Sequence, residues 1–121
     1  MSKIAAQECI LVVEDVAILA LALADMLVEA GFQVIGPAAS VAKALALIAQ
    51  SRPDGAILDI NLRGETSAPV ASELMARGTP FLAVTGYSTE QRPEIFHGVP
   101  TLTKPVLEAD LLTALRRCLG K

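Results

Sequence analysis

Three acidic side chains stand directly after apolar segments of this sequence: Glu14, Asp15 and Asp59. An isolated ionised carboxylate is costly to remove from water, and carboxylates placed together repel one another. A hard cation would relieve both costs, because Mg²⁺ prefers oxygen ligands and binds a few carboxylates together with water. A carboxylate beside such an ion can also attack phosphorus and form an acyl phosphate. These residues therefore predict Mg²⁺-dependent phosphoryl chemistry centred on Asp59.

Two further polar residues, Thr85 and Lys104, end later apolar segments. Phosphoryl transfer needs a fixed cation and hydrogen-bond donors beside the transferred group. Lys104 can provide the cation, and the Thr85 hydroxyl can donate to a phosphoryl oxygen. Each residue alone has an ordinary structural explanation, since acids cap helices, aspartate forms turns and threonine is common in strands. The complete set favours a functional site.

The apolar segments alternate with segments of helical periodicity. Short apolar runs predict five strands, at Cys9–Val13, Gln33–Gly36, Gly55–Leu58, Phe81–Val84 and Val99–Thr103. Helical spacing predicts helices over Val16–Ala30, from the Ser40 cap to just before Pro53, over Ser67–Arg77 and over Leu107–Leu119. Pro93 limits the element within Ser88–Phe96, which we expect to be short or irregular.

This alternation is typical of a doubly wound α/β fold, a parallel sheet covered by helices on both faces. In such a sheet the carboxyl ends of the strands meet at one edge, where ligands bind. The five polar residues at the strand ends would therefore meet in space. We expect residues 1–121 to form one domain, because 121 residues suffice for a single core but not for two.

The composition of the chain argues against nucleic acid and membranes as partners. The net charge of −3 argues against nucleic acid, which favours a basic face. The apolar run from Val16 to Ala24 is too short to span a bilayer, and no signal peptide is visible. Two cysteines are too few for a disulfide framework. We expect a cytoplasmic protein that contacts neither nucleic acid nor membrane.

The sequence resembles the receiver domains of two-component response regulators over essentially its whole length. The resemblance rests on Glu14-Asp15, Asp59, Thr85 and Lys104-Pro105, in that order at the strand ends. It implies a CheY-like, flavodoxin-like sheet in the order 2-1-3-4-5 with five helices, the fourth short or irregular. It also implies a stand-alone receiver. The run AVTGY, from Ala83 to Tyr87, is similar to a subgroup of stand-alone alphaproteobacterial receivers.

The resemblance implies a role for Asp59 as phosphoacceptor. The donor would be a phosphohistidine on a sensor histidine kinase or a histidine phosphotransfer protein. Phosphorylation would then switch binding to a downstream protein partner, which the sequence does not identify. The implied ligands of Mg²⁺ are Glu14, Asp15, Asp59 and the backbone carbonyl of Asn61. Lys104 and Thr85 would contact the phosphoryl group, and the Lys104–Pro105 bond is expected to be cis.

Other residues are predicted to modulate the site or to bind a partner. Tyr87, two residues beyond Thr85, is expected to cover the acyl phosphate and slow its hydrolysis, and Asn61 and Pro105 flank the reacting groups. Ile18, Leu21 and Val28 form a second apolar stripe on the first helix. We interpret the part closest to Glu14-Asp15, Ile18 and Leu21, as a docking surface for the donor's helix. Thr101 stands three residues before Lys104, where many receivers carry Tyr or Phe.

Two alternative functions remain open. A small phosphatase or phosphotransferase could use the same aspartyl intermediate. It would need a second acid near Asp59, where the sequence has Asn61, and a lid for a small substrate, for which 121 residues leave little room. A degenerate receiver could act only as a binding module, although the complete acid, hydroxyl and lysine set argues against it. We expect slow self-dephosphorylation and no turnover of external substrates, so the protein is not predicted to be an enzyme in that sense.

Overall fold

The computed structural model describes residues 7–86 and 92–121. Within these ranges the strands are β1 (Cys9–Val13), β2 (Gln33–Ala38), β3 (Gly55–Asp59), β4 (Asn61–Leu62), β5 (Glu65–Thr66), β6 (Phe81–Thr85) and β7 (Thr101–Thr103). Five of them form a parallel sheet in the order β2-β1-β3-β6-β7. Strands β4 and β5 pair separately as an antiparallel hairpin. The predicted order 2-1-3-4-5 is therefore confirmed.

The helices are α1 (Ala17–Glu29), α2 (Val41–Ser51), α3 (Ala68–Ala76) and α4 (Glu108–Cys118). A three-residue 3₁₀ helix, Glu94–Phe96, takes the place of the predicted short fourth helix. Ser40 caps α2 as expected, because its Oγ accepts a hydrogen bond from Lys43 N at 3.2 Å. Within the described residues, no helix is long and apolar enough to cross a bilayer.

The helices cover both faces of the sheet. On one face α1 and α4 bury Leu23, Leu27, Leu111 and Leu115. On the other face α2, α3 and the 3₁₀ helix bury a second set of side chains, which includes Ile48, Leu74 and Phe96. Burying each large aliphatic side chain contributes about 1.5–3 kcal/mol. Strands β3 and β6 are buried along their whole length, so their ends are held rigidly by the core.

The structure differs from the sequence prediction by two residues at each of two strands, while β3 and β6 each run one residue beyond their predicted ends. Strand β7 begins at Thr101 rather than Val99, because Pro100 has no N–H for the ladder, although its carbonyl accepts from Ala83 N at 2.9 Å. Strand β2 extends through Pro37 to Ala38, two residues beyond the predicted end. The bond between Gly36 and Pro37 is cis.

The β4–β5 hairpin was not predicted. It follows Asp59 almost directly and turns through Arg63 and Gly64. Gly64 has φ +78°, a conformation that residues with a Cβ rarely adopt. The hairpin therefore places an ordered turn beside the carboxyl edge of the sheet, in a segment for which the sequence predicted no helix or strand.

Candidate functional site

The sheet register brings the predicted polar residues to one edge. Val13 pairs with Leu58, so Glu14 and Asp59 follow neighbouring paired positions. Asp59 pairs with Val84, and Thr85 pairs with Thr103 of β7. Each functional side chain is thus positioned by the end of a strand whose register is fixed by the core.

The three carboxylates lie together. Glu14, Asp15 and Asp59 each have an oxygen within 4.8 Å of the other two. Glu14 and Asp59 are almost completely buried, with 2% and 4% of their surface exposed. Nearby backbone N–H groups donate to one oxygen of each acid: Asn61 N donates to Asp59 Oδ1 at 3.2 Å, and Val16 N donates to Glu14 Oε2 at 3.1 Å.

The ammonium of Lys104 joins two of these acids. Its Nζ lies 2.7 Å from Asp59 Oδ2 and 3.1 Å from Glu14 Oε1. Burial acts to lower the pKa of Lys104, but the hydrogen bonds and charges of Asp59 and Glu14 together outweigh burial and raise it. Lys104 therefore stays charged, and a quarter of its side chain remains exposed at the mouth of the site.

The environment of Glu14 points to a further cation. Its Oε1 is buried and accepts no hydrogen bond within the described part of the chain, although Lys104 lies at ion-pair distance. Desolvation raises the pKa of Glu14, while the hydrogen bond from Val16 and the Lys104 ammonium act against this shift. Three carboxylates beside one ammonium leave negative charge uncompensated. An oxygen-only donor set with an unsatisfied buried oxygen fits a hard divalent ion.

Asp15 and Asn61 connect the acids to the hairpin. Asp15 Oδ2 accepts a hydrogen bond from the backbone N–H of Arg63 at 2.9 Å. The Arg63 side chain contributes less, since its Nε is 3.9 Å away and 84% of the side chain is exposed. Asn61 lies exposed in β4, directly beyond the buried Ile60. Sequence reasoning missed the Arg63 N–H, because a backbone donor carries no side-chain signature.

The structure places the other predicted residues with mixed results. Thr85 is 7% exposed, and its carbonyl accepts a hydrogen bond from Lys104 N at 2.8 Å, which ties the two residues together. The Lys104–Pro105 bond is cis, as the resemblance implied. Tyr87 lies outside the described residues, so its predicted covering role stays a prediction.

Thr101, at the position where many receivers carry an aromatic ring, makes two hydrogen bonds through its hydroxyl group. Its Oγ1 accepts a hydrogen bond from Arg92 Nη1 at 2.7 Å and donates to Val99 O at 2.9 Å. Both Arg92 and Thr101 are half-buried. Sequence reasoning noted the missing aromatic residue but did not find Arg92, because the two are nine positions apart.

The surface of α1 beside the acids is apolar. Ile18 is 74% exposed and Leu21 is 60% exposed, in agreement with their predicted position on an outer stripe. Leu19 and Met26 line a cavity of about 120 Å³ between α1 and the segment after β7. Lys104 lines the same cavity, so the apolar surface is continuous with the acidic site.

The model of the response regulator receiver domain family matches residues 10–116. The chain belongs to this family. Membership agrees with the receiver fold predicted from the sequence and gives the chain a role in two-component signalling. The narrower AVTGY subgroup stays a prediction.

Solved structures of other proteins resemble this chain. SdrG of Sphingomonas melonis Fr1 is 39% identical, with full coverage of both chains and a TM-score of 0.83. The chemotaxis protein CheY4 of Vibrio cholerae is 27% identical, with 93% of this chain and 99% of that one covered and a TM-score of 0.81.

A curated relative is longer than this chain. The transcriptional regulatory protein PdtaR of Mycobacterium tuberculosis is 28% identical over 116 residues, which cover 93% of this chain. The match spans only 57% of the length of PdtaR. The similarity therefore concerns little more than half of that protein.

Proposed function

We propose that this receiver is a phosphorylation switch in which Asp59 accepts a phosphoryl group from a phosphohistidine. The donor is a sensor histidine kinase or a histidine phosphotransfer protein, and the reaction takes place in the cytoplasm. Residues 1–121 constitute one receiver domain, which the family match over residues 10–116 supports. Phosphorylation changes the affinity for a downstream protein.

The contact that carries the proposal is the pairing of Lys104 Nζ with Asp59 Oδ2 at 2.7 Å. It holds a fixed cation against a buried carboxylate at the end of a rigid strand. Because Lys104 remains partly exposed, an incoming phosphoryl group can approach the same point. The cation then neutralises charge on the transferred group as it develops.

The transfer is balanced in atoms and electrons. A carboxylate oxygen of Asp59 forms a bond to phosphorus while the bond from phosphorus to the donor's imidazole nitrogen breaks. The electron pair of the broken bond returns to the imidazole, which takes up a proton. The product is an acyl phosphate on Asp59, with Lys104 positioned to pair with a phosphoryl oxygen and Thr85 to donate a hydrogen bond.

Mg²⁺ fits the acidic cluster. The unsatisfied Oε1 of Glu14 and the proximity of Glu14, Asp15 and Asp59 support these residues as holders of the ion, with Asn61 contributing its backbone carbonyl. When bound, the ion supplies positive charge that offsets the repulsion between carboxylates and phosphate. The chain's own part is to fix the carboxylates at the strand ends before the donor arrives.

Switching follows from how Thr85 and Lys104 are joined. A phosphoryl group on Asp59 offers new acceptor oxygens. The Thr85 hydroxyl and the Lys104 ammonium can both donate to these oxygens, which favours movement of both residues toward the phosphoryl group. Their backbones are linked by the bond from Lys104 N to Thr85 O, so movement of one affects the other. A partner that binds the phosphorylated arrangement more tightly shifts the population toward it.

The donor docks on the apolar surface of α1. Ile18 and Leu21 are strongly exposed for apolar residues, and Ile18 lies one turn from Glu14-Asp15. The neighbouring cavity, lined by Leu19, Met26, Val84 and Pro105, can receive an apolar side chain of the donor. This arrangement brings the donor's histidine to the Lys104 side of the site.

The two alternatives receive less support. The site has no second acid in the position of Asn61 that could act as a general acid or base for a phosphatase. A pure binding module would not require a buried carboxylate held against a lysine. Turnover of phosphomonoesters would favour the first alternative, and absence of Mg²⁺-dependent labelling would favour the second.

The proposal is tested by phosphotransfer from a histidine kinase labelled on its phosphohistidine. We expect label to appear on this chain in the presence of Mg²⁺ and to be absent with EDTA. Asp59→Asn keeps the size of the side chain but removes the nucleophile, so it should accept no label. Undiminished labelling of Asp59→Asn would refute the assignment of the phosphoacceptor.

A further inference from the structure

We propose that Glu65 is a positioning residue that fixes Asp15 for metal binding, through the β4–β5 hairpin and the N-terminus of α2. The proposal rests on the proposed function, since it assigns to Asp15 a role in holding Mg²⁺. Glu65 itself does not enter the site. It acts through the turn that presents the Arg63 N–H.

The first link joins Glu65 to α2. Its Oε2 accepts a hydrogen bond from the backbone N–H of Val41, the first residue of the helix, at 3.0 Å. That N–H has no acceptor inside the helix, and the helix dipole favours a carboxylate at this end. Since Ala44 and Ile48 of α2 are completely buried, the helix gives the hairpin a rigid anchor.

The second link joins the hairpin to Asp15. The backbone N–H of Arg63, in the turn of the hairpin, donates to Asp15 Oδ2 at 2.9 Å. This bond holds one oxygen of the carboxylate and leaves the other available to an ion. The orientation of Asp15 therefore depends on where the turn lies.

The hairpin cannot hold this position alone. Each of its strands has two residues, and two-stranded hairpins are at best marginally stable in water. Leu62 is 5% exposed and anchors the first strand in the core. The second strand is held at its base, where Ser67 N donates to Ile60 O at 2.9 Å, and Glu65 adds an anchor directly beside the Arg63–Gly64 turn.

The chain offers a matched control, because α2 has a second N-terminal cap. Ser40 Oγ accepts from Lys43 N at 3.2 Å, in the first turn of the same helix, and within the described residues the structure records no hydrogen bond from Ser40 to the hairpin. Ser40→Ala and Glu65→Ala each remove one cap from α2. Only Glu65→Ala also releases the hairpin. Glu65→Gln keeps an oxygen acceptor for Val41 N and serves as the conservative variant.

Two measurements test the proposal on the full chain: Mg²⁺ affinity by titration calorimetry, and hydrogen exchange of the Arg63 amide in the ion-free protein. For Glu65→Ala we expect Mg²⁺ binding weakened roughly three- to tenfold, the equivalent of one net hydrogen bond, and faster exchange at Arg63. Ser40→Ala should lower thermal stability but leave both quantities near wild type. Glu65→Gln should recover most of the affinity.

Equal effects of Glu65→Ala and Ser40→Ala on Mg²⁺ affinity would overturn the proposal, as would unchanged Arg63 exchange in Glu65→Ala. If the wild-type protein binds no Mg²⁺, the proposed function fails. The exchange measurement then still decides whether Glu65 fixes the turn, because it requires no ion.

Discussion

Lys104 Nζ lies between two buried carboxylates, 2.7 Å from Asp59 Oδ2 and 3.1 Å from Glu14 Oε1. One cation thus serves the phosphoacceptor and a neighbouring acid on a different strand. The arrangement stabilises the edge of the sheet before any donor binds. Because this one ammonium compensates the charge of both carboxylates, replacing any of the three residues changes the electrostatic environment of the other two.

Replacing Lys104 by Met should leave the carboxylates of Asp59 and Glu14 without the cation that compensates both. In Mg²⁺-free buffer we expect the free energy of unfolding to fall by about 1 kcal/mol, less than for a fully buried pair because Lys104 is partly exposed. Mg²⁺ should stabilise the variant more than the wild type, since the ion replaces the missing positive charge. Urea unfolding with and without Mg²⁺ measures both effects.

Lys121→Met is the control for Lys104→Met. Lys121 Nζ lies 3.5 Å from Glu8 Oε1, but half of its side chain is exposed and the pair is remote from the acids. We expect little change in stability and none in the response to Mg²⁺. Equal Mg²⁺ responses of the two variants would contradict the shared-charge account.

Glu14→Gln should change the pH dependence of stability. Burial raises the pKa of Glu14 above its ordinary value of 4.5, so the folded protein binds this proton more tightly than the unfolded chain does. Stability from this group is present at low pH and is lost as the pH rises through the raised pKa. The Glu14→Gln variant should not lose stability over that pH range and, at neutral pH without Mg²⁺, should be more stable than wild type.

Saturating Mg²⁺ should reverse the order of the two proteins, because wild type keeps a carboxylate for the ion. Urea unfolding at mildly acidic and neutral pH provides the comparison. A variant that is less stable than wild type at neutral pH in Mg²⁺-free buffer would show that Glu14 is not strained by its burial.

Thr101→Val should weaken the contact between Arg92 and β7. The variant keeps the shape of threonine but leaves the half-buried guanidinium without its acceptor at 2.7 Å, at an expected cost of about 1 kcal/mol. Thr103→Val, at an exposed position of the same strand, should change stability by less than about 0.5 kcal/mol. Equal unfolding free energies for the two variants would indicate that the Arg92 contact contributes nothing.

The proposed docking surface on α1 is tested by replacing its exposed apolar residues with glutamate. Ile18→Glu and Leu21→Glu should slow phosphotransfer from the kinase by about tenfold or more, since each places a charge in an apolar contact. Labelling by acetyl phosphate, which needs no docking, should be unchanged. Val28→Glu is the matched control, because Val28 is 59% exposed on the same helix but farther from the acids. Equal loss with Val28→Glu would contradict docking at this end of α1.

Much of the site could be predicted because strand ends determine it. Glu14, Asp59 and Lys104 follow apolar segments that the sequence shows clearly, and a parallel sheet brings such positions to one edge. The hairpin could not be predicted in this way, because strands of two residues are too short to show alternation. Nothing in the sequence therefore distinguished Glu65, and only the fold placed it beside α2.

The same limit applies to contacts made by the backbone. The N–H of Arg63 has the same chemistry as any other amide, so its bond to Asp15 depends on the turn and not on the side chain. The residue in the sequence that could indicate this turn was Gly64, because glycine readily adopts the positive φ that the structure shows there.

The central claim is that Asp59 carries the phosphoryl group, and intact mass after incubation with acetyl phosphate and Mg²⁺ tests it most directly. We predict that the wild-type protein gains the mass of one phosphoryl group, that EDTA prevents the gain, and that Asp59→Asn shows none. Peptide mapping should assign the added mass to Asp59. An unmodified wild-type protein, or the same gain in Asp59→Asn, would contradict the account.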